Sequence, residues 1–245
     1  MDLFGTAGIR GPIADFLTPE LATAVGRAAA ADGEEFVVGR DGRTSGPALA
    51  RAVSAGLTSG GARVIRAGVV PTPTLAFASQ GRRGIMVTAS HNPPADNGLK
   101  LFVDGVEYDG DEEKTIERRV ADEPQSVAWD RWGAVEHLEP LPSYCEAVAD
   151  YAREHAASSG QAGADGLAAA VDCGNGMAGL ATPQVLRDLG VDVVALEANV
   201  DGHFPARESK PTPESLTALR RFVADTDTKL GIGHDGDADR IVIVD

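Results

Sequence analysis

Apolar residues in the first half of the chain come in short runs separated by stretches of helical length. Glu35-Phe36-Val37-Val38-Gly39 and Ala62-Arg63-Val64-Ile65-Arg66 read as strands, and a helix is expected between them from about Pro47 to Ser59. An earlier helix opens at Thr18-Pro19-Glu20, with threonine as the cap and proline at the first helical position, and runs to about Ala31. Another starts at Pro71-Thr72-Pro73-Thr74 and ends near Gly81. The apolar run Ile85-Met86-Val87 then reads as a buried strand. Strand, helix, strand in this order implies parallel strands joined by a right-handed crossover.

Residues 121–142 break the pattern. They are polar and charged and contain Pro124, Pro140 and Pro142, so they read as a boundary between a domain over 1–138 and one over 139–245. The second half opens with a helix from about Ser143 to His155 and a Gly/Ala/Ser-rich loop from Ser158 to Gly166. A strand from Leu167 to Val171 follows, then a glycine loop, a helix to about Leu189 and a strand from Val191 to Leu196. Lys229 to Gly233 and Ile241 to Val244 are further strands. The order repeats that of the first half, which predicts an internal duplication. The expected fold class is α/β: two similar mixed α/β domains, each a mainly parallel sheet between helices.

Composition narrows the partners. The chain has 245 residues, 43% of them hydrophobic, and a net charge of −15. Such a charge argues against nucleic acid as the main partner. The acid excess is mostly Asp (22, against 15 Glu) and the bases are mostly Arg (18, against 4 Lys). With abundant alanine this predicts a halophilic protein, whose self-repulsion is screened by salt. The start lacks the basic region and apolar run of a signal peptide, and no stretch has the length of a membrane span. Cys145 and Cys173 have no metal-ligand spacing. A cytoplasmic chain with two thiols and no membrane contact is expected.

Three stretches carry chemistry. In the first, Thr88 to Lys100, Pro93 and Pro94 forbid helix and hold an extended loop. Ser90 sits on this loop at a strand end beside His91, the rigid perch a nucleophile needs. Asn97-Gly98 reads as a turn, after which Leu99 to Val103 resumes a strand. Lys100 alternates with Leu99 and Leu101, so it is expected to face away from the core, able to return toward Ser90. In the second stretch, Asp235, Asp237 and Asp239 alternate between two apolar strands. Carboxylates this close repel one another unless a cation binds, and hard oxygen ligands suit Mg²⁺. An EF-hand is excluded, because Arg240 stands where its loop needs glycine. In the third, the glycine-rich loop Phe4 to Gly11 presents Arg10, a forked donor for phosphate.

Two further features have competing readings. Gly174-Asn175-Gly176-Met177-Ala178-Gly179 fits the glycine pattern of a dinucleotide-binding turn, with Glu197 at about the offset of a ribose-binding acid. The rival reading is a tight strand-to-helix turn that needs glycines. Arg40, Asp41 and Arg43 lie just past a strand end, where α/β folds place ligands. A salt-bridged structural role fits them equally.

Together the serine stretch, the aspartate stretch and the N-terminal loop resemble the α-D-phosphohexomutases, the phosphoglucomutase and phosphomannomutase family. The resemblance spans nearly the whole chain. It implies that Ser90 carries a phosphate, and that Mg²⁺ binds Asp235, Asp237, Asp239 and one oxygen of phosphorylated Ser90. It also implies a hexose phosphate substrate, with glucose 1,6-bisphosphate as intermediate and activator. By the same resemblance Arg10 and Arg240 neutralise phosphate oxygens, while His91 and Lys100 are candidates for acid/base work. Thr88 to Pro94 looks more like phosphoglucomutase or phosphomannomutase than phosphoglucosamine mutase. Family members have four domains, with a sugar-specificity loop in the third and a phosphate-binding loop in the fourth. This chain is therefore expected to be a fragment lacking full activity, with the other domains on a longer chain or a separate polypeptide. The non-enzymatic alternative is a phosphosugar-binding module.

Overall fold

The computed structural model describes residues 3–5, 8–159, 164 and 166–245. By its contacts the chain divides into two units, Met1–Ala89 with Pro94–Glu139, and Ser90–Pro93 with Pro140–Asp245. Both have a mostly parallel sheet flanked by helices, as the alternation of strand and helix patterns predicts.

The first unit contains β1 (Ile9–Pro12), α1 (Pro19–Ala29), β2 (Glu35–Arg40), α2 (Gly46–Ser59), β3 (Arg63–Val69), α3 (Thr72–Ala78) and β4 (Arg83–Val87). After the serine loop come β5 (Asp96–Val103), β6 (Val106–Glu107), α4 (Gly110–Ala121) and β7 (Val135–His137). The sheet order is β1-β5-β4-β2-β3-β7, with β6 added to β5. β2 pairs parallel with β3 and β4, while β5 runs antiparallel to β4. The Thr18 hydroxyl accepts the Leu21 N–H at 3.2 Å, which starts α1 where the sequence places it. α1 and α2 pack closely through glycine: a Cβ on Gly56 would come 2.1 Å from the Thr23 carbonyl. The main core joins α1 and α2 to one face of the sheet through Val25, Leu49, Val53, Val38 and Leu99, all nearly inaccessible.

Two expectations are corrected here. The N-terminal glycine stretch is not only a loop, because Ile9–Pro12 pairs antiparallel with β5. Asn97-Gly98 is not a turn but lies inside β5, opposite Arg10 and Gly11. A Cβ on Gly98 would stand 2.4 Å from the Thr88 carbonyl, so glycine is there to let strands approach rather than to reverse the chain. Within the boundary segment 121–142, Val135–His137 adds a strand to the first sheet beside β3.

The second unit contains α5 (Leu141–Ser159), β8 (Ala168–Asp172), α6 (Thr182–Asp188), β9 (Asp192–Leu196), α7 (Thr217–Asp225), β10 (Leu230–His234) and β11 (Ile241–Val244). α5 takes in Ser158 and Ser159, the start of the expected loop. Residues 160–163 and 165 of that loop lie outside the described residues. The helix expected up to Leu189 is split into a 3₁₀ turn at Met177–Leu180 and α6. The sheet order is β11-β10-β8-β9, parallel except for β11. This is the order β5-β4-β2-β3 of the first unit with the same strand directions, so the repeat read in the sequence is a repeat of topology. One face of this sheet is covered by α7 and the residue before it, through Leu216, Leu219 and Val223 on Ala170.

Candidate active site

Ser90 follows β4 in a left-handed backbone conformation, φ 51°, which a serine adopts at a steric cost. Its side chain is fully buried, and its hydroxyl donates to Asp235 Oδ2 at 2.8 Å. The loop is held from behind, where Ser209 Oγ donates to the Asn92 carbonyl at 3.0 Å. Gly236 makes the approach of the aspartate loop feasible, since a Cβ there would stand 2.7 Å from the Ser90 carbonyl. A buried hydroxyl held on a strained backbone and pointed at a carboxylate has the rigid placement and the proton acceptor that a nucleophile needs.

The aspartate loop joins β10 to the antiparallel β11. Oxygens of Asp235, Asp237 and Asp239 lie within 4.8 Å of one another, and the first two side chains are buried. Burial first, then the charges of Asp237 and Asp239, push the Asp235 carboxyl up to about 8, while the Ser90 hydroxyl acts the other way. Three ionised carboxylates at this spacing call for a compensating charge, and an all-oxygen donor set fits a hard divalent cation. Arg240 edges the cluster. Its Nη1 donates to His91 Nδ1 at 3.1 Å, and its Nε lies 3.6 Å from Asp239. Because a guanidinium only donates, His91 Nδ1 is an acceptor and the ring carries its proton on Nε2. Thus six of the residues singled out in the sequence, Ser90, His91, Asp235, Asp237, Asp239 and Arg240, converge within the second unit.

Behind the aspartate loop lies a group the sequence did not announce. Arg207, almost fully buried, donates to both oxygens of Asp172 at 3.0–3.1 Å and to the His234 carbonyl at 2.7 Å. It thereby ties the ends of β8 and β10 together. Its guanidinium also lies over Gly174, whose φ is +53° and whose Cβ would come within 2.6 Å of it. The other glycines of the dinucleotide-like pattern are likewise used in packing. A Cβ on Gly176 would meet the Gly236 carbonyl at 2.7 Å, and one on Gly179 the Ala198 carbonyl at 2.2 Å. The helix that follows is a 3₁₀ turn of four residues, not the long helix start that holds a pyrophosphate. The tight-turn reading therefore accounts for Gly174, Gly176 and Gly179. Burial, the largest influence, pushes the neighbouring His234 down to about 4, a ring kept neutral.

Arg10 and Lys100 lie in the first unit on the paired strands β1 and β5. Lys100 does alternate with Leu99 and Leu101, but it is 1% exposed rather than open to solvent. The N-terminal stretch lies against it, since a Cβ on Gly8 would stand 3.2 Å from its Cγ. Its ammonium lies 3.3 Å from Glu107. Among the described residues, Arg10 Nε and Nη2 are buried and make no hydrogen bond, which suits a guanidinium kept for an anion. Past the end of β2, Asp41 accepts from Arg43 Nε at 3.0 Å and from Thr88 Oγ1 at 2.8 Å. The Asp41–Arg43 pair is fully buried, so the salt-bridged reading holds for these two.

Comparison with known proteins agrees with this architecture. Residues 1–126 match the phosphoglucomutase/phosphomannomutase alpha/beta/alpha domain I family, and residues 139–245 match domain II. The chain belongs to the phosphoglucomutase/phosphomannomutase family. It is 45% identical over 248 residues to a "Probable phosphoglucosamine mutase" of Methanopyrus kandleri, covering 98% of this chain and 53% of that one. It is 40% identical over 250 residues to a "Phosphopentomutase" of Thermococcus kodakarensis, covering 100% and 54%. Among solved structures, a phosphoglucomutase/phosphomannomutase family protein from Burkholderia thailandensis superposes with a TM-score of 0.87 at 33% identity, over 99% of this chain and 54% of that one. The chain spans about half the length of these relatives.

Proposed function

We propose that this chain is the phosphoserine and metal-binding half of a cytoplasmic phosphosugar mutase, which moves a phosphoryl group between the 1 and 6 positions of a hexose phosphate. The observation that supports this most directly is the strained Ser90 hydroxyl, 2.8 Å from Asp235 inside the three-aspartate cluster. Phosphoryl transfer needs positioned oxygens and neutralised charge more than covalent chemistry from the protein. In this reading Ser90 Oγ takes a phosphoryl group from glucose 1,6-bisphosphate, the P–O bond to the sugar breaks, and the hydroxyl proton has Asp235 Oδ2 as its acceptor. Phosphoserine later gives the group to the other end of a hexose monophosphate. Asp235, Asp237 and Asp239, with an oxygen of phosphorylated Ser90, would hold Mg²⁺, which when bound supplies positive charge to the phosphate. Arg240 and Arg10 would pair with phosphate oxygens, and His91 and Lys100 would manage protons near the sugar hydroxyl.

The sugar is proposed to be glucose or mannose on the strength of Thr88 to Pro94. The relatives named above include a phosphoglucosamine mutase and a phosphopentomutase, so glucosamine and pentose phosphates are the competing substrates to assay beside glucose and mannose phosphates. The half of the relatives that this chain does not match is proposed to hold the sugar and the distal phosphate. To test the phosphoacceptor, the chain is incubated with glucose 1,6-bisphosphate and Mg²⁺ and its peptides are mapped by mass spectrometry. One phosphate on Ser90 is expected, and Ser90→Ala should lower incorporation by on the order of 10³-fold or more. Equal incorporation in the variant would sink the proposal.

A further inference from the structure

A cleft of about 150 Å³ opens in the first unit between α2 and the strands β2 and β3. None of the residues placed in the candidate active site lines it. Three arginines do: Arg40 from the end of β2, Arg66 from β3 and Arg51 from α2, with Ser54 one turn further along the same helix face. The strand pairing explains part of this convergence. Val38 pairs with Arg66 but Gly39 with Gly68, so β3 carries one extra residue, a bulge that re-aims the side chains beside it. Gly68, at φ +74°, leaves the mouth open, since a Cβ there would meet nothing within 4 Å.

What sets the cluster apart is its missing counter-charge. Among the described residues, none of these three arginines has a carboxylate within ion-pair distance, whereas Arg43, Arg63, Arg82, Arg119 and Arg207 all do. Asp41 is the nearest acid in sequence, but its oxygens already serve Arg43 and Thr88. Among the described residues, Arg40 donates to the Asp41 backbone carbonyl at 3.0 Å and Arg51 to that of Pro47 at 3.4 Å. Burial, and then the Arg51 charge, hold Arg40 below the ordinary guanidinium range against the opposing pull of Asp41. Three cations kept together without an acid, in a chain of net charge −15, form an arrangement that an anion would relieve.

We propose that this cleft is a second anion site, distinct from the serine and aspartate loops, and that it takes one phosphate dianion, either free or as the terminal group of a small metabolite. Guanidinium forks match phosphate oxygens two at a time. The volume suits a single tetrahedral anion, since sites for larger ligands run to roughly 300–1,000 Å³.

The test is arginine-selective modification of the chain by phenylglyoxal, mapped by mass spectrometry, at fixed ionic strength in KCl. Inorganic phosphate is expected to slow modification of Arg40, Arg51 and Arg66 together, by roughly tenfold or more. Glucose 6-phosphate acting at lower concentration would identify the terminal phosphate of a metabolite as the better ligand, and inorganic phosphate acting alone would identify the free ion. Arg51→Gln, an exposed change on α2, should remove the protection of Arg40 and Arg66 while leaving the Arg240 rate unchanged. Protection of Arg10 and Arg240 alone would confine anion binding to the candidate active site and overturn the proposal. So would protection retained in Arg51→Gln, or protection that rises with protein concentration in the absence of phosphate.

Discussion

The two units use one topology to opposite chemical ends. The first unit's β4, which precedes the antiparallel β5, runs into the loop that carries the Ser90 hydroxyl, a residue grouped with the second unit. In the second, the matching strand β10 runs into a loop with three carboxylates. The strands before them match too. Asp41 follows β2 and Asp172 ends β8. Each accepts the backbone N–H two residues on, Arg43 at 3.0 Å and Gly174 at 2.9 Å, and each pairs with a buried arginine. What differs is where that arginine comes from. Arg43 is two residues from its partner, whereas Arg207 is 35 residues away and also ties down the end of β10. The lesson is that the duplicated sheet fixes where loops and supporting pairs go, and the loop sequences alone decide what chemistry stands there.

The largest expected effect on the fold tests that equivalence. Removing one partner of a buried ion pair typically costs about 3–5 kcal/mol, because the remaining charge stays desolvated. Arg43→Ala and Arg207→Ala should each lower stability by this amount in urea titrations. Cys173 separates the units, since both cysteines belong to the second. Burial chiefly, with the Asp172 charge, pushes its thiol up to about 12, so alkylation reports opening of that unit. Arg207→Ala should speed Cys173 labelling much more than Arg43→Ala does. Loss of the Arg207 charge alone would raise the thiol pKa further and slow labelling, so acceleration can only mean opening. Equal acceleration in both variants would show that the two units open together and break the comparison.

A smaller effect separates the loops themselves. Asp237→Asn removes one ligand charge from the aspartate loop while keeping its shape. Mg²⁺ affinity by calorimetry should fall by at least about tenfold, as the loss of a close charge at protein-surface dielectric implies. Ser90→Ala in the same assay should change affinity little for the unphosphorylated chain, because a neutral hydroxyl adds no ligand charge. Equal losses in both variants would mean that the serine loop, not the carboxylates, sets metal binding.

These contrasts also mark what the sequence could tell. Thr18 before Pro19 and the two prolines after Ser90 act locally, so their consequences were legible. Three carboxylates at alternate positions between apolar strands are similarly a local pattern. The capping pair Asp109 and Glu112 at the start of α4 is another local signal. Arg207 was not legible, because its role exists only once β8 and β10 stand side by side. Lys100 was legible in its alternation but not in its burial, to which the N-terminal stretch at Gly8 contributes by lying against it. Asn97-Gly98 misled for a related reason. The pair that usually marks a turn is here a strand interior, where the approach of Thr88 and Ile9 leaves no room for a side chain.

The smallest expected effect concerns charge, and it too divides the units. The first holds 14 basic and 20 acidic residues, the second 8 and 17, so the smaller unit carries the greater excess. If the acidic surface is a halophilic adaptation, screening should relieve the second unit more. The Debye length shrinks from about 10 Å at 0.1 M to about 3 Å at 1 M salt, which removes repulsion between exposed acids but leaves buried pairs such as Asp172–Arg207 largely intact. Salt also strengthens apolar burial, but that term acts on both cores alike, so the difference between units is the quantity to read. Hydrogen exchange, with EDTA present to exclude metal binding at the aspartate loop, measures it. Raising KCl from about 0.1 to about 2 M should slow exchange in β8 and β10 more than in β2 and β4, by an amount on the order of 1 kcal/mol or less. Equal slowing in both sheets would reduce the salt effect to the general one, and faster exchange in the second unit would overturn the halophilic reading.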